Sequence, residues 1–270
     1  VFAAISHGCS AGLHRQVMID VFWKRIRRKG NAFNIKKLGS LGMDLAALSH
    51  FYEVPWNRPA IGLHDEDVAM LLDLTGFDLR GVGRSHEALQ LMESALEKHI
   101  VLKHMRESAR VARNISELML ILGDLNNSLK YAFKSLSFAE QGSEVFWIIH
   151  SVSIIADVLF QLGKWQEARQ LFIRAEEIAE LGNMKLYLCE YLLEAGRLYE
   201  AEGKKEKSEQ HFKNAANLVK EMGYWRREKD VEQWLDKKGV LKKTYESPKS
   251  NKSTDEIIKE IRHSGYFTKE

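Results

Sequence analysis

The chain has 270 residues, 45% of them hydrophobic, with 3 prolines and 18 glycines, which allows a substantial core and argues against disorder over most of its length. A formal charge of +3 removes any bulk electrostatic case for nucleic acid. No run of about 18 apolar residues occurs, so no bilayer span is expected, and two distant cysteines, Cys9 and Cys189, with no secretory apolar region before the first, point to a reduced cytoplasmic setting.

Residues 1 to 28 read as a degenerate helical hairpin, with Gly12 at the turn and Val17, Val21 and Ile26 along one helical stripe. Lys24, Arg25, Arg27, Arg28, Lys29, Lys36 and Lys37 form a basic stretch with only Asp20 as a nearby acid. Asn31 to Asn34 is a break, and Leu38, Leu41, Leu45 and Leu48 recur at helical spacing within a helix predicted over 35 to 52. Pro55 and Pro59 stop that helix, making Glu53 to Pro59 a loop. Asp65, Glu66 and Asp67 then place acids where a new helix begins, complementing its exposed amides and dipole.

From there a repeat governs the chain. Glycines stand at 83, 123, 163 and 203, each 40 residues after the last. A small residue follows each by five (Ala88, Ser128, Ala168, Ser208) and another by twelve (Ala95, Ser135, Ala175, Ala215). Residues seven apart share a helix face, so these are positions where a neighbouring helix comes close. Gly76, Ser116, Ala156 and Gly196, seven before the glycines, complete a pattern of helix, glycine turn, helix. Four bars are expected over 69 to 222, preceded by degenerate hairpins over 1 to 68. A charged cap helix over 223 to 240 follows, then a linker and short amphipathic tail over 241 to 270. The internal pattern, with Glu87-Ala88 and Glu167-Ala168 after the glycines, is the tetratricopeptide arrangement, its helices lengthened to reach a period of 40. The predicted fold is all-α, a right-handed superhelical solenoid of tetratricopeptide-like hairpins.

In a superhelix of that kind the first helix of each bar lines the concave side. Positions thirteen, ten, nine, six and three before each glycine then point into a groove. They include Arg80 in the first bar and Arg110, Arg113, Asn114 and Glu117 in the second. His150, Ser153 and Asp157 follow in the third, and Glu190, Glu194, Arg197 and Glu200 in the fourth. Such a polar inner face suits a protein or peptide ligand, which arginines can hold in bidentate pairs; the chain's own tail is another candidate occupant. A chaperone C-terminus is not the expected ligand, because Asp73, Phe77 and Ile154 stand where a basic clamp needs bases and amides. The alternative function is nucleic-acid binding through the basic N-terminal face.

No catalytic residue, cofactor or metal site is expected. His7, Cys9 and His14 carry donors that suit zinc, but no second cluster supplies a fourth ligand. Cys189 lies among leucines and reads as a buried thiol. Glu190 and Glu194 sit one turn apart and read as solvated helix acids.

Certain stretches outside the repeat consensus carry a family resemblance. They are His7-Gly-Cys-Ser-Ala-Gly12, Phe22-Trp-Lys-Arg-Ile26, Lys37-Leu-Gly39, Asp44-Leu-Ala-Ala-Leu48, Pro55-Trp56, Arg113-Asn-Ile-Ser-Glu-Leu118, Leu193-Glu-Ala-Gly-Arg197 and Gly223-Tyr-Trp-Arg-Arg227. With them, residues 1 to 236 resemble the tetratricopeptide sensor region of bacterial STAND-type (NACHT and NB-ARC) signalling NTPases. The resemblance implies a partner-sensing arm that controls a nucleotide-driven switch in a longer protein. No G-x-x-x-x-G-K-[ST] phosphate loop is present, so the ATPase itself is not in this sequence. The chain begins at Val1 rather than Met, and more protein is expected to precede it.

Overall fold

A computed structural model describes residues 1–28, 39–181, 185–222 and 231; the side chains of 176, 179–181, 186, 187, 190 and 194 are outside that description. The chain forms two compact units, Val1–Gly142 and Ser143–Glu270. Each is an array of antiparallel helical hairpins, as the 40-residue pattern requires.

The first unit opens with α1 (Phe2–Ser10) and a turn at Gly12, whose φ of 75° lies in the left-handed region. The chain returns through α2 (His14–Val17), which runs directly into α3 (Met18–Ile26), where the hydrogen bonds widen to π-helical. Close approach dictates Gly8: a Cβ there would stand 2.2 Å from Val17 Cγ2. The helix predicted over 35 to 52 is shorter on its described side. α4 spans Leu41–Ser49, and Tyr52 belongs to a strand; 35 to 38 lie outside the described residues. The predicted loop Glu53 to Pro59 closes a small antiparallel hairpin, β1 (Tyr52–Val54) with β2 (Arg58–Pro59), in which Tyr52 pairs with Pro59. Pro59 has no amide hydrogen, which restricts it to short or edge strands of this kind.

Two regular hairpins complete this unit: α5 (Asp65–Gly81) with α6 (Ser85–Val101), and α7 (Met105–Ile121) with α8 (Leu125–Gln141). The acids expected at the start of α5 are there. Asp67 accepts the His64 backbone N–H at 3.1 Å and pairs with Arg15 Nε at 2.8 Å, tying α2 to the helix entrance. Ile5, Met18, Phe22, Leu48 and Phe51 join Leu71, Leu79, Met92 and Ile115 in one apolar core. The second unit repeats the scheme with α9 (Val145–Gln161) and α10 (Trp165–Leu181), then α11 (Lys185–Ala201) and α12 (Lys205–Met222). The expected cap helix and tail are outside the described residues except for Val231, which is buried.

Helices α5 to α11 each have 17 residues, so the added length of the repeat goes into the helices. The hairpin turns hold Gly83, Gly123, Gly163 and Gly203 at φ of 82°, 80°, 76° and 74°. The turns that lead from one hairpin to the next put Lys103 and Ser143 in the same left-handed region, at 58° and 53°. The small residues do what their spacing required. A Cβ on Gly76 would meet Met92 Cγ at 2.8 Å and the Ala88 oxygen at 3.2 Å; one on Gly196 would meet three Phe212 ring carbons at 3.1 Å. In the α7–α8 hairpin the equivalent pair is Ser116 and Ser128. Each hydroxyl donates to the other residue's carbonyl at 2.8 Å, so both polar groups are satisfied at 0% exposure.

Candidate ligand-binding face

Helices α5 and α7 are the first helices of adjacent hairpins, and four of the twelve groove residues named from the sequence, Arg80, Arg110, Arg113 and Glu117, stand on the face they share. Glu117 is its centre. Arg80 Nη1 donates to Glu117 Oε2 at 2.6 Å, and Arg113, one turn earlier on α7, donates from Nη1 and Nη2 to both carboxylate oxygens at 3.1 and 3.0 Å. Burial raises the Glu117 carboxyl, but the Arg113 and Arg80 guanidiniums outweigh it and hold the group below its ordinary value. Phe77, one turn before Arg80, lies 5.1 Å from that guanidinium and provides a ring for it to rest on. The side chains of Arg80, Arg113 and Glu117 are 17%, 21% and 31% exposed, so the cluster stands at the surface.

Arg110 pairs with Asp73 of α5, which is fully buried. Behind this pair is His99 of α6, 3% exposed, with neither ring nitrogen hydrogen-bonded to a described residue. Burial depresses its pKa; Asp73 and Glu107 pull the other way, and Arg110 and His104 add to the depression. The net effect favours the neutral imidazole.

Asn114 requires a correction. It is 4% exposed, and its backbone oxygen accepts a long bond of 3.4 Å from Arg80. Sitting below the arginine layer, it belongs to the packing of α7 and does not line the face. His150, Asp157, Glu194 and Arg197 belong to the second unit. His150 packs at 5.0 and 5.5 Å from the Phe146 and Trp147 rings, Asp157 is half-buried, Arg197 is exposed, and the Glu190 and Glu194 side chains are outside the description. Asp73, which sequence reading used only to argue against a chaperone clamp, stands ten before Gly83, the register of Arg113 in the next bar. That register was its signal. His99 offered none, being an isolated histidine on a second helix.

The basic N-terminal stretch also changes character. Arg27 is 3% exposed, and its Nη2 reaches both Asp44 of α4 and Asp78 of α5, at 2.8 Å to the latter. The guanidinium lies 5.6 Å from the Phe22 ring. Lys24 pairs with Asp20 at 2.7 Å, and 29, 36 and 37 lie outside the described residues. Arg27 is thus a buried fastener and does not present its charge to a phosphate.

Cys9 is buried, and that burial pushes its thiol up to about 11, away from the thiolate a metal or a nucleophile requires. Among the described residues no three His, Cys, Asp or Glu are grouped to hold a metal ion, and no helix is long and apolar enough to cross a membrane. A separate cleft of about 660 Å³ lies between the β-hairpin and α5–α6, with Trp56, Pro59, Leu72, Gln90 and Lys98 among its lining.

The family model for the tetratricopeptide repeat matches residues 149–221. No curated protein matches the chain in sequence. Several solved structures share its fold. Aspartyl phosphate phosphatase F from Bacillus subtilis superposes with a TM-score of 0.57 at 12% identity, over 73% of this chain and 49% of its own. The apo form of RapI gives 0.62 at 12% identity, over 86% of this chain and 79% of that one. A Rap protein complexed with competence and sporulation factor gives 0.61 at 14% identity, over 75% and 61%. The chain thus spans about half the length of the first of these.

Proposed function

We propose that this chain, which carries tetratricopeptide repeats, is a non-catalytic protein-interaction scaffold whose first-helix face holds a peptide or a segment of a partner protein. In its finer form the proposal is a cytoplasmic ligand-sensing arm of a larger STAND-type signalling protein, in keeping with the sequence resemblance over 1 to 236. The observation that carries the reading is the Arg80–Glu117–Arg113 cluster. It holds three charged side chains in place at the surface of the helices that line the groove in such arrays. Guanidiniums fixed by a neighbouring carboxylate lose less side-chain entropy on meeting a ligand than solvated ones do. The solved Rap complex supports the reading by analogy of fold.

The test is selection of a displayed random peptide library on the wild-type protein, followed by rebinding to an Arg110→Ser/Arg113→Ser variant whose helicity and melting match the parent. Peptides that hold the wild type and lose the variant are the expected outcome. Selected peptides that all bind both proteins equally would sink the assignment of this face.

A further inference from the structure

We propose that the ligand of this face is an acidic segment, one of whose carboxylates enters between Arg80 and Arg113 and takes over part of the role of Glu117. The inference rests on the binding-face reading and adds the chemistry of the occupant.

The argument is one of charge and valence. Three guanidiniums, on Arg80, Arg110 and Arg113, share two carboxylates. One of those, Asp73, is sealed from solvent at 0% exposure and cannot meet a ligand, whereas the Arg110 side chain paired with it remains 31% exposed. The other, Glu117, serves two arginines at once. A single carboxylate has about four lone-pair directions, whereas two guanidiniums bring ten N–H donors. Arg80 uses only Nη1, on Glu117 and Asn114. The cluster therefore has a surplus of donors and of positive charge, and an incoming carboxylate satisfies both. A basic segment would meet three cations with Glu117 as the one solvent-reaching acid among these five groups. Phe77 and Leu120 lie on the same face, half-buried, and offer apolar contact beside the charges.

Glu117 competes with the ligand for the same arginines, which leads to an outcome that a merely structural salt bridge would not produce. The probes are a fluorescent nine-residue peptide of three Glu-Glu-Leu triplets and its Lys-Lys-Leu counterpart, titrated by anisotropy into the full chain at 50 and 300 mM salt. The acidic peptide is expected to bind, and to weaken at the higher salt. Arg80→Gln should weaken it roughly tenfold, and Glu117→Gln should tighten it by a similar factor, about one charge-assisted contact each way. Melting curves of both variants establish that each is folded. Should Glu117→Gln be poorly folded, Arg110→Gln replaces it, with weaker binding expected.

The proposal is overturned if the acidic peptide binds neither the wild type nor Glu117→Gln, or if the basic peptide binds as well as the acidic one. Should that happen while the library still yields peptides dependent on Arg110 and Arg113, the face stands and only its ligand class is wrong. A library with no such peptides removes the face itself.

Discussion

Arg27 shows how much of a residue's role depends on what surrounds it in space. Along the chain it has basic neighbours and one acid; in the fold it lies between Asp44 and Asp78, both at 0% exposure. Two buried carboxylates on one guanidinium leave an excess negative charge in a low-dielectric site, and a proton removes it. Burial, then the nearby Asp44, push the Asp78 carboxyl up to about 8, against the lowering by Arg27. Asp78 thus keeps a proton in the folded chain that the unfolded chain releases near pH 4. Its stabilising contribution is complete below about pH 4 and is lost as pH rises toward about 8. The slope is at most about 1.4 kcal/mol per pH unit in that window. Asp78→Asn carries the neutral form permanently, so its urea midpoint should vary less between pH 5 and 8 than that of the parent. An unchanged pH profile in the variant would show that the proton is held elsewhere.

At the scale of the elements, the turns separate backbone strain from space. Nothing lies within 4 Å of a Cβ built on Gly83, so its requirement for glycine comes from φ alone. Gly83→Ala should cost about 1–2 kcal/mol with no change in packing. Lys103 occupies the same backbone region with a side chain, so Lys103→Gly should stabilise by about 1 kcal/mol, provided relief of the strain outweighs the entropy gained by the unfolded chain. Thermal melts of the two variants should shift in opposite directions. The hairpin turns were legible because glycine marks them. The turns between hairpins were not, since lysine and serine give no such signal, and from α5 to α10 the 17-residue helices alternate with three-residue turns of both kinds. The short strands around Trp56 were hidden for a related reason. Prolines announce a helix stop but do not tell a loop from a two-residue ladder.

Across the whole molecule, stability in an array of this type comes from contacts between sequence neighbours. Ala168 is fully buried on α10, at the register where hairpins need a small residue. Ala168→Leu should cost roughly 1–3 kcal/mol by overpacking. Its effect on amide exchange should be confined to α9–α12, with α5 and α6 protected as in the parent; uniform loss of protection would contradict nearest-neighbour coupling.

The repeat and its face periodicity determined, without coordinates, that the chain is an array of helical hairpins and which positions must be small, because backbone geometry and close approach act over a few residues and recur. Arg80, Arg110, Arg113 and Glu117 were legible as surface groups for the same reason. Only the tertiary structure decided their partners: that Glu117 is shared by two arginines, that Asp73 and His99 lie beneath Arg110, that Asn114 is covered, and that Arg27 is buried. Those pairings join residues far apart in sequence, such as Arg27 to Asp78, 51 positions away. Electrostatic partnership depends on distance and burial, and a residue's place in a repeat specifies neither.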